Sequence, residues 1–451
     1  MCAAVFTVCF ASGAFARLAL LSSEYSTSLA DDYELSTPAT SAPCRREGHF
    51  LLMHGHDPLS AGGACAPNPP LLLTTLAALN DSTQLYVLLG ADLLCAALLL
   101  SAAPVRIAGA LAAGAYLLTP WPIAACAAGS SAMLPGLAVL AASHLAGRGW
   151  AVAASAALGC GGMLNPDAAW LLFALTALTM PPASASRRVP SSIEAATALV
   201  RCGSAYALTV CAGIALLAPR FGGVSHLVRR TLGAWLDAEP VLFTTPNVGL
   251  WWYWMVQAFL PIRPTFVLAL HTLPRLCVPC LALRLPCHRR SASPPPPSAA
   301  QSAAQTVASA SGAPPHQLPT MLCMALSHGV LTATKLAPTM PEIMLALAFV
   351  ASQIDGRLLD ATGRLLPIAC LAIGNAALAV RPLLSRWLDA REINANFFYA
   401  ATVALASGQL LLVYELAAAA MQAEADEDAA RGVARVQRVW RRRAAEKLKG
   451  G

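Results

Sequence analysis

Long apolar runs alternate with short polar breaks along most of this chain. The first run covers residues 2–21, and the sequence is nearly continuously apolar from Leu71 to Leu217. Apolar sequence resumes at 247–284 and again from residue 320. Because a helix needs about 20 residues to cross the hydrocarbon core of a bilayer, the pattern predicts an all-α polytopic membrane protein.

Turn signals such as Asn80-Asp81-Ser82, Asn165-Pro166 and Pro181-Pro182 divide these runs into separate helices. We predict apolar helices at 2–21, 84–103, 107–127, 131–147, 149–162, 165–180, 196–217, 247–284, 320–335, 341–354, 364–380 and 396–421. Several intervals are shorter than 20 residues, so we expect half-spans or tilted helices that pack within the protein. The total is about ten to twelve transmembrane helices.

The polar segments between the runs define the organisation of the chain. The amphipathic segment holding Arg229, Arg230 and Trp235 predicts a helix at the membrane surface, and the Pro/Ser/Ala-rich linker cannot bury a core. We predict a first span at 1–21, a lumenal loop at 22–83, a bundle at 84–287 with the surface segment 218–246, a disordered cytosolic linker at 288–319, spans at 320–421 and a basic cytosolic tail at 422–451.

Composition supports this class of protein. The chain is 57% hydrophobic and 12% charged, with a mean hydropathy of +0.58, whereas soluble domains carry about 25% charged residues. A cytosolic enzyme is therefore excluded. Positively charged clusters at Arg187-Arg188, Arg289-Arg290 and the tail predict cytosolic positions.

The net charge of +7 belongs to the tail. Residues 431–449 hold eight Lys/Arg and one Glu, so the rest of the chain is neutral and no nucleic-acid partner is predicted. Val433 to Arg443 has the pattern of a basic amphipathic helix. Attraction to anionic cytosolic lipid explains it most simply, with a solvated helix and a calmodulin-binding element as alternatives.

Catalytic motifs of soluble enzymes are missing from the sequence, which has no HExxH, GxSxG, P-loop or paired GxGxxG. No metal or cofactor site is predicted. Cys44 and Cys65 lie in the same polar loop, and a lumenal position would permit a disulfide between them. The acidic run Asp31-Asp32-Tyr33-Glu34 follows the first span, where GT-C glycosyltransferases carry a catalytic carboxylate. A solvated charge run is the alternative.

Two stretches combine amides with aromatic rings at the ends of apolar runs. Residues 244–253 read Thr-Thr-Pro-Asn-Val-Gly-Leu-Trp-Trp-Tyr, and residues 393–399 read Ile-Asn-Ala-Asn-Phe-Phe-Tyr. Aromatic side chains favour the headgroup level of a bilayer, and amides can bind sugar hydroxyls and phosphate oxygens. An aromatic membrane anchor and a helix cap are the alternatives to a lipid-binding site.

These two stretches resemble the signature stretches of the PIG-U family, a membrane subunit of the glycosylphosphatidylinositol (GPI) transamidase. Weaker similarity covers Glu47-Gly48, Gly55 to Ser60, Pro69-Pro70 and Lys335-Leu336-Ala337-Pro338-Thr339, in the family's order. The Asp57-Pro58-Leu59 sequence departs from the family's usual Ser-Pro-Tyr. The linker 288–319 resembles an insertion.

The resemblance implies a GT-C-like bundle in the endoplasmic reticulum membrane, without catalysis of its own. A caspase-like cysteine protease subunit would cleave the substrate protein, and this subunit would hold the GPI glycolipid and its partners in place. The implied lipid-binding residues are Pro246, Asn247, Trp252, Tyr253, Asn394, Asn396, Phe397, Phe398 and Tyr399.

The alternative function is a GT-C glycosyltransferase, similar to GPI mannosyltransferases, that uses Asp31 or Asp32 with a dolichol-linked sugar. A transporter has less support, because few ionisable residues fall within the apolar runs.

Overall fold

The fold is built from α-helices joined by turns and short 3-10 segments. A computed structural model describes residues 2–30, 32–58, 68–180, 192–228, 245–257, 260–285 and 318–449. The predicted all-α polytopic class is confirmed. Most of the predicted surface segment 218–246 and nearly all of the predicted linker 288–319 lie outside the described residues.

The described α-helices number nineteen. They are α1 Cys2–Leu21, α2 Tyr25–Leu29, α3 Ala42–Met53, α4 Pro70–Thr74, α5 Asp81–Ala102, α6 Arg106–Leu118, α7 Pro120–Ala127, α8 Met133–Gly147, α9 Ala151–Leu164, α10 Leu171–Thr179, α11 Ser192–Leu217, α12 Trp252–Gln257, α13 Arg263–Thr272, α14 Cys277–Arg284, α15 Leu318–Ala333, α16 Met340–Ser352, α17 Gly356–Ala361, α18 Leu365–Leu388 and α19 Ala395–Lys449.

Six stretches of the described chain are long and apolar enough to cross a membrane. They are α1, α5, Ile193–Arg220, Arg263–Arg284, α18 and the Ala395–Asp426 part of α19. The pair α6 and α7 passes the same test with a 51° bend between its helices, and five shorter apolar segments have 10–17 residues. Every predicted apolar interval is therefore at least partly helical, and the short ones form the expected half-length helices.

Prolines break the apolar interval 247–284 into several pieces. Its helices α12, α13 and α14 are separated by the 3-10 turns Leu260–Ile262 and Pro274–Leu276. Pro264 occupies the first turn of α13, where a missing N–H costs nothing, whereas a proline inside a helix removes a hydrogen bond and clashes with the preceding turn.

The centre of the bundle is formed by α15 and α16, which pack against each other. Helix α15 also contacts α10, α14 and α19, while α16 contacts α5, α6, α7 and α8. Side chains such as Met324 and Phe349 are fully buried there. In contrast, α18 packs mainly against α19, and so lies at the edge of the described bundle.

A buried ion pair holds the first span against the bundle. The Nε of Arg17 in α1 lies 2.5 Å from the Oδ2 of Asp92 in α5, and both side chains are fully buried. The Tyr116 hydroxyl of α6 donates to the same carboxylate. Arg17 also donates to the carbonyl oxygens of Gly13 and Leu117, at 3.0 and 2.7 Å. Such pairing is the condition under which charges are tolerated inside a membrane protein.

Candidate functional site

The two signature stretches meet in three dimensions. Trp252 and Tyr253 of α12 pack with Trp387 at the end of α18 and with Phe398 and Tyr399 at the start of α19. We call these five residues the aromatic cluster. Ring centroids are 4.7 Å apart for Tyr253–Tyr399 and 5.6 Å apart for Trp252–Trp387, both stacked. Helices distant in sequence thus share one aromatic surface.

Polar contacts join the same two stretches. The Tyr253 hydroxyl donates to the Oδ1 of Asn396 over 2.5 Å, and the Tyr399 hydroxyl donates to the carbonyl oxygen of Leu250 over 3.2 Å. Asn396 is nevertheless exposed, so its amide NH₂ group lies at the surface beside the rings.

The neighbouring residues of α19 divide between surface and interior. Asn394 is exposed, and its Oδ1 accepts a 3.0 Å hydrogen bond from the backbone N–H of Asn396, which caps the first turn. Phe397 is 57% exposed, whereas Phe398 is fully buried. The start of α19 therefore presents two amides and one ring outward, with the aromatic cluster behind them.

Asn247 shapes the loop that leads into α12. It is buried, its Oδ1 accepts from the Gly249 N–H over 2.8 Å, and its Nδ2 donates to the carbonyl oxygen of Thr245 over 3.0 Å. Both ends of the amide are thus engaged within one turn, next to the half-buried Pro246. Asn247 therefore fixes the conformation of this loop, and its predicted contact with lipid stays a prediction.

The Lys335–Thr339 stretch packs on this loop. A Cβ added to Gly249 would lie 2.5 Å from the Cδ of Pro338, so only glycine permits the observed approach. The indole N–H of Trp251 donates to the carbonyl oxygen of Thr334 over 3.0 Å. The 244–253 stretch therefore contacts two other stretches, 335–339 and 393–399, that resemble the PIG-U family.

An ion pair and a cleft lie beside the same stretch. The Nζ of Lys335 is 2.5 Å from the Oε1 of Glu342, and the Glu342 carboxylate closes a capping box with Thr339 at the start of α16. The cleft is open to solvent, and Asn165 and His328 contribute to its wall. Because Lys335 is neutralised by Glu342, this pair adds no net charge to the cleft.

The acidic run after the first span is engaged by one arginine. The Nη1 of Arg381 in α18 lies 2.6 Å from Asp32 Oδ2 and 2.5 Å from Glu34 Oε1. Glu34 is only 1% exposed. Its burial raises the pKa of its carboxyl, and the hydrogen bond from Arg381 partly offsets that rise. Asp31 lies outside the described residues. Asp32 and Glu34 therefore anchor the loop to α18, which disfavours a catalytic carboxylate there.

The polar loop is also fixed by a disulfide and a buried arginine. Cys44 is disulfide-bonded, while its predicted partner Cys65 lies outside the described residues, so this pairing stays a prediction. Arg45 donates to Gln84 Oε1 and to the carbonyl oxygen of Gly129, each over 3.1 Å. Burial, with a smaller contribution from the nearby Arg46, lowers the pKa of Arg45 to about 10.

The sequence reasoning missed Trp387, which belongs to the aromatic cluster, and did not single out Arg391. Trp387 is a lone aromatic at the end of an apolar run, which is the position of an interfacial aromatic. Arg391, in the connection between α18 and α19, is exposed and has a left-handed φ of 57°. Its only signal was the tight connection between two long helices.

The fold and its paired buried charges define a multi-pass, all-α membrane protein. The chain matches the family model described as GPI transamidase subunit PIG-U over residues 11–405. It therefore belongs to the PIG-U family, and so to the GPI transamidase complex of GPI-anchor biosynthesis. A comparison with curated protein sequences gives no significant match.

Proposed function

We propose that this chain is a non-catalytic subunit that binds the GPI glycolipid and positions it for the other transamidase subunits in the endoplasmic reticulum membrane. The observation that carries this proposal is the meeting of Tyr253 and Asn396, which are 143 residues apart in sequence. This contact places the exposed Asn396 amide next to the aromatic cluster, at the start of α19.

The site suits a molecule with a polar head and acyl chains. Asn396 offers its amide NH₂ group to sugar hydroxyls or phosphate oxygens, next to Asn394, whose side-chain oxygen caps α19. Phe397 extends apolar surface toward the acyl side.

A GPI head also carries phosphate, and Arg391 lies three residues before Asn394. Its guanidinium is exposed, and arginine matches phosphate geometry with paired N–H donors. We assign Arg391 to the anionic part of the head. The left-handed backbone at this residue gives a clean test, because glycine adopts that conformation without strain.

The reaction itself is assigned to a caspase-like partner subunit. Holding two reactants in the correct geometry converts a bimolecular step into an effectively unimolecular one and lowers the barrier by several kcal/mol. The alternative catalytic groups are Asp31, which lies outside the described residues, and Asp32, which is paired with Arg381 beside Glu34. This favours positioning over sugar transfer.

The test replaces the cellular copy with Phe397→Ala or Arg391→Gly. Phe50→Ala, which truncates an equally exposed phenylalanine in α3, is the matched control. We expect the two site variants to co-purify with the caspase-like subunit, to display several-fold less GPI-anchored reporter at the surface, and to accumulate complete GPI.

Three results would count against the proposal. Normal surface display of the GPI-anchored reporter by both site variants would show that these residues do not bind the GPI lipid. A GPI precursor that lacks a sugar would favour a glycosyltransferase. If the unmodified chain does not co-purify with a caspase-like subunit, the proposed partner is wrong.

A further inference from the structure

Helix α18 buries one face and leaves the opposite face open. The buried residues Ile373, Ala376 and Val380 are on the inner side of the helix, whose main neighbour is α19. On the outer side, Leu371 and Leu378 are 65% and 79% exposed. An apolar surface of this kind is expected wherever a span faces lipid, so by itself it identifies no partner.

Asn375 distinguishes this face from a lipid-facing surface. It is exposed and lies between Leu371 and Leu378 on the same side of the helix. The apolar part of α18 is bounded by Arg364 and Arg381, which are eleven and six residues away. At 1.5 Å per residue, Asn375 lies about 16 and 9 Å from these charges, within the hydrocarbon layer.

The hydrogen bonds of Asn375 are only partly satisfied. Its Nδ2 donates to the carbonyl oxygen of Leu371 over 2.8 Å, and its Oδ1 has no partner among the described residues. Lipid chains offer no donor, so an unpaired amide carbonyl in hydrocarbon is costly. Next to it, a Cβ built on Gly374 would meet nothing within 4 Å, which leaves space for another helix to approach.

We propose that the outer face of α18, centred on Asn375, binds a transmembrane helix of another GPI transamidase subunit. The bound helix would place a hydrogen-bond donor, such as Ser, Thr, Asn or Gln, opposite Asn375 at mid-membrane depth. Because the chain belongs to a family of GPI transamidase subunits, we expect the partner helix to come from another subunit of that complex. The inference is independent of the lipid site at Asn396, because it uses a different face of a different helix.

Photocrosslinking in the intact complex tests the occupant directly. A photoreactive residue replaces Leu378 on the outer face, and the matched control replaces Ile373 on the inner face of the same helix. We expect position 378 to crosslink to another subunit and position 373 to crosslink within the chain. Crosslinks from 378 only to lipid, or only to a second copy of this chain, would overturn the proposal.

Substitution of Asn375 tests the hydrogen bond. Asn375→Leu should reduce the partner subunit retained after detergent dilution by about three- to tenfold, the usual range for a hydrogen bond between membrane helices. Asn375→Gln keeps the amide group, so this variant should retain most of the partner subunit. The isolated chain should melt at an unchanged temperature, because the residue is exposed. If the Asn375→Leu and Asn375→Gln variants retain equal amounts of the partner subunit, the proposal is overturned even if crosslinks form.

Discussion

Asn394 and Asn396 are two residues apart but have different contacts. Asn394 uses its carbonyl oxygen to cap the first turn of α19, whereas Asn396 accepts a hydrogen bond from Tyr253 across the site. The cap and the lipid site were alternatives for both residues in the sequence. Asn394 thus has a capping contact, whereas the main contact with the head group is our proposal for Asn396.

Serine substitutions should separate these two roles. Asn394→Ser should assemble and display GPI-anchored proteins almost normally, because serine caps about as well as asparagine. Asn396→Ser shortens the side chain and removes its NH₂ donors, at a cost of about 0.5–1.5 kcal/mol for each lost hydrogen bond. Flow cytometry of a GPI-anchored reporter, with partner co-purification as the folding control, should show reduced display only for Asn396→Ser. Equal display by both variants would make Asn396 a structural residue.

Glu34 should give the folded chain a distinctive pH dependence. Because burial raises its pKa in the folded state, the folded protein binds this proton more tightly than the unfolded chain does. Its contribution to stability is therefore complete below about 4.5, the ordinary glutamate pKa, and is lost as the pH rises through the raised folded pKa. Thermal melting of the chain and of Glu34→Gln should differ in slope over this range. If the melting temperatures of the two proteins change with pH in parallel, Glu34 does not cause this pH dependence.

Among the elements, α1 packs on α6 and α7 and has one buried ion pair with α5. Apart from Gly13 and Arg17, the described residues of α1 are exposed or half-buried, so much of this helix faces outward. The Arg17–Asp92 pair supplies its specific link to α5, and Tyr116 extends that link to α6.

Removing one member of this pair should therefore be worse than removing both. Arg17→Met leaves the Asp92 carboxylate buried without its cation and should destabilise the chain by about 3–5 kcal/mol. Combining it with Asp92→Leu should recover most of that loss, because well-packed apolar residues often replace a buried ion pair at little cost. Unfolding by SDS in mixed micelles measures the difference, and the exposed Arg106→Met is the control. A single variant as stable as the double one would rule out this account.

For the whole molecule, the sequence predicted the helices and the site stretches well. Apolar runs bounded by prolines and charges became helices near the expected positions, because both signals act locally. The aromatic cluster was only partly predictable. Trp252 and Phe398 were identified, but their contact with Trp387 depends on how α18 meets α19.

Long-range ion pairs could not be predicted in the same way. Arg381 and Glu34 are 347 residues apart, and no local pattern specifies such a partner. Arg17 and Asp92 did carry a usable signal, since each is a charge within an apolar run and charges there require partners.

The linker between α14 and α15 should act through its length alone. Replacing residues 291–315 with a Gly/Ser sequence of equal length keeps the reach and removes the native composition. We expect the complex to migrate unchanged on native gels and reporter display to stay normal. Loss of one subunit from the complex would show that the native linker sequence carries a docking site.

The length of α19 has a consequence for the basic tail. This helix has 55 residues, so it extends about 80 Å, while the hydrocarbon core is about 30 Å thick. Arg431 follows the end of the apolar run at Met421 by ten residues, or about 15 Å of helix. Electrostatic attraction fades within about 8 Å in physiological salt. If α19 stands straight and upright in the membrane, it is therefore a spacer that holds the tail's positive charges away from the bilayer, and the tail meets anionic lipid only if the helix bends.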